Sequence, residues 1–273
     1  MGQTIACANQ KGGVGKTTTV VNLATCLALA GEHVLVIDLD PQGNATSGLG
    51  INRRGSEFSV YDAVVDLTDL SSLIIATQVP GLSLVPSSIA LAGAEVELAP
   101  VEQRERRLAK ALRSAPAEFE YVLLDCPPSL GLLTVNALTA ADSVLIPIQS
   151  EYYALEGLAQ LIATIHLVRD HLNPRLEIKG VVMTMYDART NLSADVAAEV
   201  RRHLGDAVFE TIVPRSVRLS EAPSHGLPVE LYRPDSPGAM AYRRLAAELR
   251  ERDGHGLAVR PPVATESREA VPA

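Results

Sequence analysis

The sequence predicts an α/β fold in which a mostly parallel, twisted sheet is covered by helices on both faces. Short apolar runs alternate with helical patterns along most of the chain, an order typical of parallel strands joined by crossover helices. The apolar runs are nearly continuous, which fits strands buried on both sides. At 273 residues, 47% of them hydrophobic and 21% charged, the chain is long enough to bury one substantial core.

The elements follow from apolar runs and from residues that stop them. Helix ends are marked by Gly31 and Gly205 just beyond a periodic segment and by Asn173-Pro174. The predicted strands are 4–8, 33–38, 82–85, 121–125, 143–148, 178–185 and 208–212. The clearest predicted helices are 17–30, 154–172, 194–204 and 239–252.

Composition divides the chain into one domain, residues 1–253, and a short tail, residues 254–273. The tail contains Pro261, Pro262 and Pro272 and loses apolar periodicity, which indicates disorder. It also has no apolar face to lay on a bilayer. No apolar run approaches the roughly 20 residues of a membrane span, and the N-terminus does not resemble a secretion signal. We therefore expect a cytoplasmic protein without membrane attachment.

The three cysteines are predicted to be reduced core residues. Cys7, Cys26 and Cys126 match neither a zinc ribbon nor a C-x-x-C redox pair, and an odd number argues against a disulfide framework. An iron–sulfur role for Cys126 would need a second, suitably placed cysteine, and neither of the others is one.

The charge distribution bears on nucleic-acid binding. The net charge is −8, which taken alone disfavours contact with phosphates. However, residues 1–174 hold 10 Lys and Arg against 18 Asp and Glu, whereas residues 175–273 hold 14 against 14. A DNA-facing patch is therefore expected in the C-terminal part, where local charge can act despite the overall sign.

The segment Gln10 to Thr18, QKGGVGKTT, is a glycine-rich loop between the first strand and the first helix. This context allows backbone amides and the helix N-terminus to surround a polyphosphate, whereas a plain turn would not require the lysine and hydroxyl in register. The sequence therefore predicts a nucleotide-binding loop.

The pattern KGGxGK[ST], with Lys11 before the paired glycines, resembles the ParA/MinD group of deviant Walker A P-loop ATPases. The resemblance implies ATP and Mg²⁺ as cofactors and a nucleotide sandwich dimer, in which Lys11 reaches the partner's phosphates. It further implies that Lys16 contacts the β and γ phosphates, that Thr17 ligates Mg²⁺ and that Thr18 holds the α phosphate. The remaining loop residues at the phosphates would be Gly12, Gly13, Val14 and Gly15.

Three aspartates end predicted strands. Asp125 closes YVLLD and precedes Cys126-Pro127-Pro128, which resembles the Walker B segment of the ParA family; a plain strand-end cap is the alternative. The segment LDPQGN that begins at Leu39, preceded by Asp38, resembles the family's switch segment. By that resemblance Asp40 orients the attacking water, and Asp38 supports the magnesium shell together with Thr17 and Asp125.

Two later segments resemble the Soj-like chromosomal branch of the ParA proteins: TMYDARTN from Thr184 and IVPRSVRLSEAPSHG from Ile212. The resemblance implies that Pro214 and its neighbours flank the adenine. It also implies that Arg189 and Arg218 belong to a surface that binds double-stranded DNA without sequence preference. Each arginine has a plain alternative as a solvated surface side chain.

The resemblance implies a DNA-partitioning ATPase associated with the nucleoid. It would form an ATP homodimer, bind DNA, and be released when a ParB-type partner stimulates slow hydrolysis. Two other classes stay open: an ATPase that positions a protein cargo, and a regulator in which nucleotide state matters but turnover does not.

Overall fold

In a computed structural model, which describes residues 2–52, 58–151 and 154–254, eight strands form a single sheet in the order β3-β4-β2-β5-β1-β6-β7-β8. The predicted tail from residue 255 onward lies outside the described residues. All neighbouring strands are parallel except β3, which is antiparallel to β4. The strands are β1 (Gln3–Cys7), β2 (Val34–Asp38), β3 (Ile75–Ala76), β4 (Leu82–Val85), β5 (Tyr121–Asp125), β6 (Ser143–Gln149), β7 (Glu177–Tyr186) and β8 (Val208–Pro214).

Helices connect the strands and cover both faces. They are α1 (Lys16–Leu29), α2 (Asn44–Gly48), α3 (Val60–Val64), α4 (Leu91–Leu98), α5 (Arg107–Ala111), α6 (Leu132–Ala140), α7 (Ala154–His171), α8 (Asn191–Leu204), α9 (Val217–Glu221), α10 (Val229–Tyr232) and α11 (Pro237–Arg252). The helix starts follow local chemistry: Thr190 caps α8, and Ser236 caps α11 just before Pro237.

The core consists of two apolar layers, one on each face of the sheet. Alternate strand residues face opposite layers: Ile5 belongs to the layer that contains α1 and α11, and Ala6 to the layer that contains α4 to α8. The prediction of a mostly parallel sheet covered on both faces is confirmed. Short β3, at the sheet edge, was not predicted.

The register brings three strand ends together. Asp125 is paired with Cys7 on one side and with Asp38 on the other. The carboxyl ends of β1, β5 and β2 therefore lie side by side, with the glycine loop extending from β1. Among the described residues, no helix is both long and apolar enough to cross a membrane.

Candidate nucleotide-binding site

The glycine loop joins β1 to α1 through two left-handed backbone positions. Gly13 has φ of 75° and Gly15, which precedes the first residue of α1, has φ of 89°. Residues with a Cβ rarely adopt these angles, so glycine lets the chain turn sharply into the helix. The first turn of α1 then presents Lys16, Thr17 and Thr18 beside the free amides of the helix N-terminus.

Neighbouring strands anchor the loop. Thr184 on β7 donates its hydroxyl to the Val14 carbonyl at 2.7 Å. Asn9 donates its amide to the Pro147 carbonyl of β6 at 2.8 Å and accepts from the Lys11 amide at 3.0 Å. The loop is therefore fixed to the sheet on the side of β6 and β7.

The two lysines of the loop are both engaged within this chain. Lys16 is buried, and its Nζ donates to the Lys11 carbonyl at 3.1 Å. The Lys11 Nζ donates to Glu151 Oε2 at 2.6 Å, and these two side chains are 41% and 44% exposed. Sequence reasoning did not identify Glu151, which lies two residues beyond the end of β6, whereas Asp38 and Asp125 are the last residues of their strands.

Asp38 is buried and fully hydrogen-bonded. One carboxylate oxygen accepts from the Thr46 hydroxyl at 2.7 Å and the Thr46 amide at 2.8 Å, and the other accepts from the Asp40 amide at 3.2 Å. Burial raises the pKa of Asp38 to about 6 against these hydrogen bonds, which lower it. Thr46, which sequence reasoning missed, thus connects Asp38 to α2.

Asp125 differs from Asp38 because it is fully buried and neither carboxylate oxygen has a hydrogen-bond partner among the described residues. Burial, followed by the charge of Asp38, raises its pKa well above the usual range, while neighbouring Thr17 and Lys16 act in the opposite direction. A buried carboxylate that lacks a partner is unfavourable unless something else satisfies it.

These oxygen donors fit a hard divalent cation. Mg²⁺ is usually held in nucleotide sites by one or two side chains, substrate phosphates and water. Asp125 offers two unpartnered oxygens, and the neighbouring Thr17 offers a hydroxyl. Within the described part of the chain, no group of three or more His, Cys, Asp or Glu residues forms an all-protein metal cage.

Asp40 lies at the start of the segment that follows β2. It is 7% exposed, and its Oδ1 accepts from the Gln42 amide at 2.9 Å. Its carbonyl accepts from the Ser87 hydroxyl at 2.7 Å, which ties this segment to the chain after β4. The side chain therefore lies near the carboxyl ends of the parallel strands. Its negative charge, like that of Asp38, is close enough to Asp125 to raise the pKa of that group.

Two cavities meet at Thr18 and Pro223. The smaller, about 210 Å³, is lined by Gly15, Thr184 and the predicted adenine neighbour Pro214, among others. The larger, about 440 Å³, lies between α1, α2 and the segment around Ser224. The structure therefore brings Pro214 to the same opening as the glycine loop.

The segment after α2 also contacts the chain that follows α9. A Cβ placed on Gly50 would lie 2.9 Å from the Gly226 carbonyl oxygen, which accepts a hydrogen bond from Gln78 at 2.9 Å. The two backbones are thus in direct contact without intervening side chains.

The predicted DNA contacts follow two neighbouring strands, because the ends of β7 and β8 are paired through Tyr186 and Pro214. Arg189 lies in the loop after β7, and Arg218 lies in α9, which follows β8. Arg189 is 87% exposed and forms a two-point ion pair with Asp187, at 2.8 and 2.7 Å. Arg218 is 48% exposed and pairs with Glu221 at 2.6 Å. Arg215, which sequence reasoning did not name, lies between them in the sequence and is also exposed.

The three cysteines are free and buried. Burial raises the pKa of each thiol, and for Cys7 and Cys126 the Asp125 charge adds to this effect.

A parallel sheet with a glycine loop between its central strand and a following helix defines the P-loop class of nucleotide-binding proteins. Comparison with known proteins agrees: the family model AAA_31, an AAA domain, matches residues 2–178. Cobyrinic acid a,c-diamide synthase from Mycobacterium smegmatis, solved with bound ADP and magnesium, superposes with a TM-score of 0.81 and 38% identity over 93% of this chain and 96% of that one.

Sequence relatives narrow the class. The chain is 58% identical to the sporulation initiation inhibitor protein Soj of Bacillus subtilis over 249 residues, which cover 91% of this chain and 98% of that protein. It is 53% identical to the chromosome partitioning protein ParA of Caulobacter vibrioides over 253 residues, which cover 91% and 95%. The chain belongs to the Soj/ParA family of chromosome-partitioning proteins, as the motifs predicted.

Proposed function

We propose that this chain is a Mg²⁺-dependent ATPase whose catalytic domain spans residues 1–253. The observation that carries the proposal is Asp125, a fully buried carboxylate without a hydrogen-bond partner beside Lys16 and Thr17. Bound nucleotide and metal would satisfy it. The bound ADP and magnesium of the related synthase support the same cofactors here.

Each proposed nucleotide contact has a position that suits its role. Lys16 would exchange the Lys11 carbonyl for the β and γ phosphates, and Thr18, which lies where the two cavities meet, would hold the α phosphate. The other loop contacts are the amides of Gly12, Gly13, Val14 and Gly15. Adenine would occupy the cavity beside Pro214.

Thr17 and Asp125 would hold Mg²⁺, and Asp38 would support that site from the adjacent strand. When bound there, the ion would supply positive charge that offsets the charge developing on the phosphates. Asp40 orients the attacking water, because one of its oxygens stays available after Gln42 is satisfied. Hydrolysis by one chain is slow, since a single aspartate leaves the transition-state charge incompletely stabilised.

We further propose that ATP closes a homodimer through Lys11 and that the dimer binds double-stranded DNA through Arg189 and Arg218. This binding would place the protein in the cytoplasm on the nucleoid. A ParB-type partner would stimulate hydrolysis and release the dimer. The support is family membership and two exposed arginines in the segments that follow the adjacent strands β7 and β8.

The test is binding of Asp40→Ala protein to a nonspecific DNA duplex with ATP, with ADP and without nucleotide, at two salt concentrations. We expect binding with ATP alone. Arg218→Ala should weaken it and lower the slope of log affinity against log salt by about 0.9 for each lost phosphate contact. Arg169→Ala, an exposed arginine of α7, is the matched control and should change the affinity little.

The outcomes separate the proposals. If ATP drives dimerisation but the protein binds no DNA with ATP, with ADP or without nucleotide, the ATPase assignment stands. A cargo-positioning role then replaces partitioning by DNA binding. If Asp40→Ala protein hydrolyses ATP at the wild-type rate, the assigned role of Asp40 is wrong.

A further inference from the structure

The Lys11 ammonium is held inside its own subunit. It donates to Glu151 Oε2 at 2.6 Å, while the Lys11 amide and carbonyl are bound by Asn9 and Lys16. Under the proposed function this same ammonium must extend to the phosphates of a second copy. One ammonium cannot pair fully with Glu151 and with the phosphates of the second copy at the same time. The contact with Glu151 therefore competes with dimer formation.

Glu151 is itself held in position to make this contact. Its Oε1 accepts from the Gln149 side-chain amide at 2.6 Å, and its backbone amide donates to the Gln149 carbonyl at 2.8 Å. Because Gln149 is the last residue of β6, the carboxylate is fixed relative to the sheet. Asn9 ties the Lys11 side of the pair to Pro147 of the same strand.

We propose that Glu151 is a positioning residue that retains Lys11 in its own subunit and thereby raises the protein concentration needed for the ATP dimer. This inference rests on the proposed function, because it requires Lys11 to act across a dimer. The pair is partly exposed, and one exposed ion pair changes an equilibrium constant by a factor of about 1.4 to five. Since each of two subunits must release its lysine, the combined effect on dimer dissociation is about twofold to thirtyfold.

The first arm of the test measures dimer dissociation by sedimentation with ATP, comparing Asp40→Ala with Asp40→Ala/Glu151→Gln. The substitution keeps the shape of the side chain and removes the charge. We expect the dissociation constant to fall by about twofold to thirtyfold. The affinity of dilute, monomeric protein for a fluorescent ATP analogue should not change, because Lys11 does not contact the nucleotide of its own subunit under the proposal.

The second arm detects the contact without any dimer. Nucleotide-free protein is treated with a limiting amount of an amine-acetylating reagent, and modification of each lysine is followed by mass spectrometry. We expect Lys11 to react faster in Glu151→Gln than in wild type. Lys110, an exposed lysine on α5, is an internal control that should react equally in both proteins.

A weaker dimer in Glu151→Gln, or equal Lys11 reactivity in the two proteins, would overturn the inference. If wild-type protein fails to dimerise with ATP, the proposed function is wrong. In that case the acetylation arm still decides whether Glu151 restrains Lys11.

Discussion

Buried charge is compensated differently at the two ends of the parallel strands. We call the amino-terminal ends of these strands the amino edge and their carboxyl-terminal ends the carboxyl edge. At the amino edge, Asp253 accepts hydrogen bonds from Gln3 at 3.0 Å, Tyr121 at 3.0 Å and Lys179, so its 1% exposed side chain is surrounded by donors. At the carboxyl edge, Asp125 is as buried and has no such partner among the described residues.

The comparison indicates that buried charged groups stabilise the fold at the amino edge and do not stabilise it at the carboxyl edge. A second buried pair, Arg250 with Glu32 at 2.7 Å, secures α11 to the segment before β2. The carboxyl edge instead gathers Asp38, Asp40 and Asp125, whose mutual repulsion is unfavourable until a cation arrives. Substitutions at the two edges should therefore separate stability from activity.

The largest effect is expected for Asp125→Asn. ATP hydrolysis should fall at least about a hundredfold, because the substitution weakens the magnesium site. The stability of nucleotide-free protein should not fall, since the substitution removes a buried charge without a partner. Phosphate release and urea unfolding measure the two quantities. A marked loss of stability would show that Asp125 has a structural role and would remove the contrast between the edges.

Asp253→Ala should have the opposite pattern, with lower stability and unchanged nucleotide binding. Loss of the carboxylate leaves Lys179 largely buried without its counter-ion, and we expect the free energy of unfolding to drop by about 3 kcal/mol. ATP affinity should stay at the wild-type value, because the site lies at the opposite edge. Urea unfolding and nucleotide titration test this, with Asp253→Asn retaining an acceptor for Tyr121. Unchanged stability in Asp253→Ala would refute it.

The carboxyl edge should also give a pH dependence. The pKa of Asp38 is raised from 3.8 to about 6, so the folded protein binds a proton more tightly than the unfolded chain does. Stability from this group is therefore present below about pH 4 and is lost as the pH rises through about 6, by on the order of 3 kcal/mol. Unfolding of nucleotide-free wild type and Asp38→Asn at several pH values isolates the effect. Parallel profiles for the two proteins would contradict it.

The smallest effect is expected for Tyr121→Phe at the amino edge. This change removes the hydroxyl that donates to Asp253 but leaves Lys179 and Gln3 in place. The unfolding free energy should decrease by about 1 kcal/mol, the usual contribution of one hydrogen bond. A decrease as large as that of Asp253→Ala would mean that the hydroxyl, rather than the charge, holds this cluster together.

Much of the fold could be predicted because its strands are short apolar runs that end abruptly. The strands Leu82–Val85 and Tyr121–Asp125 have the predicted bounds, and the other predicted strands differ by one or two residues at an end. Helix α11 begins at Pro237, two residues before the prediction, because proline is well accommodated in a first turn. Short helices such as α2 and α3 have too few turns to give a periodic signal.

The candidate site was predictable where it lies in one continuous motif and less so where it depends on distant contacts. The loop residues and the three aspartates could be found from local patterns. Glu151, Thr184 and Thr46 could not, because their importance arises from contacts between distant segments: β6 lies beside β1 and β7 beside β6, and Thr46 donates to Asp38. No local spacing encodes which strands become neighbours.

The close contact between Gly50 and Gly226 has a mechanical consequence. Without side chains between them, the two backbones have no soft layer to absorb a displacement, since protein interiors compress little. Gly50 follows α2, which Asp38 holds through Thr46, and Gly226 follows the segment that contains Arg218. A shift of α2 would therefore be transmitted through the Gly50–Gly226 contact to the segment that contains Arg218.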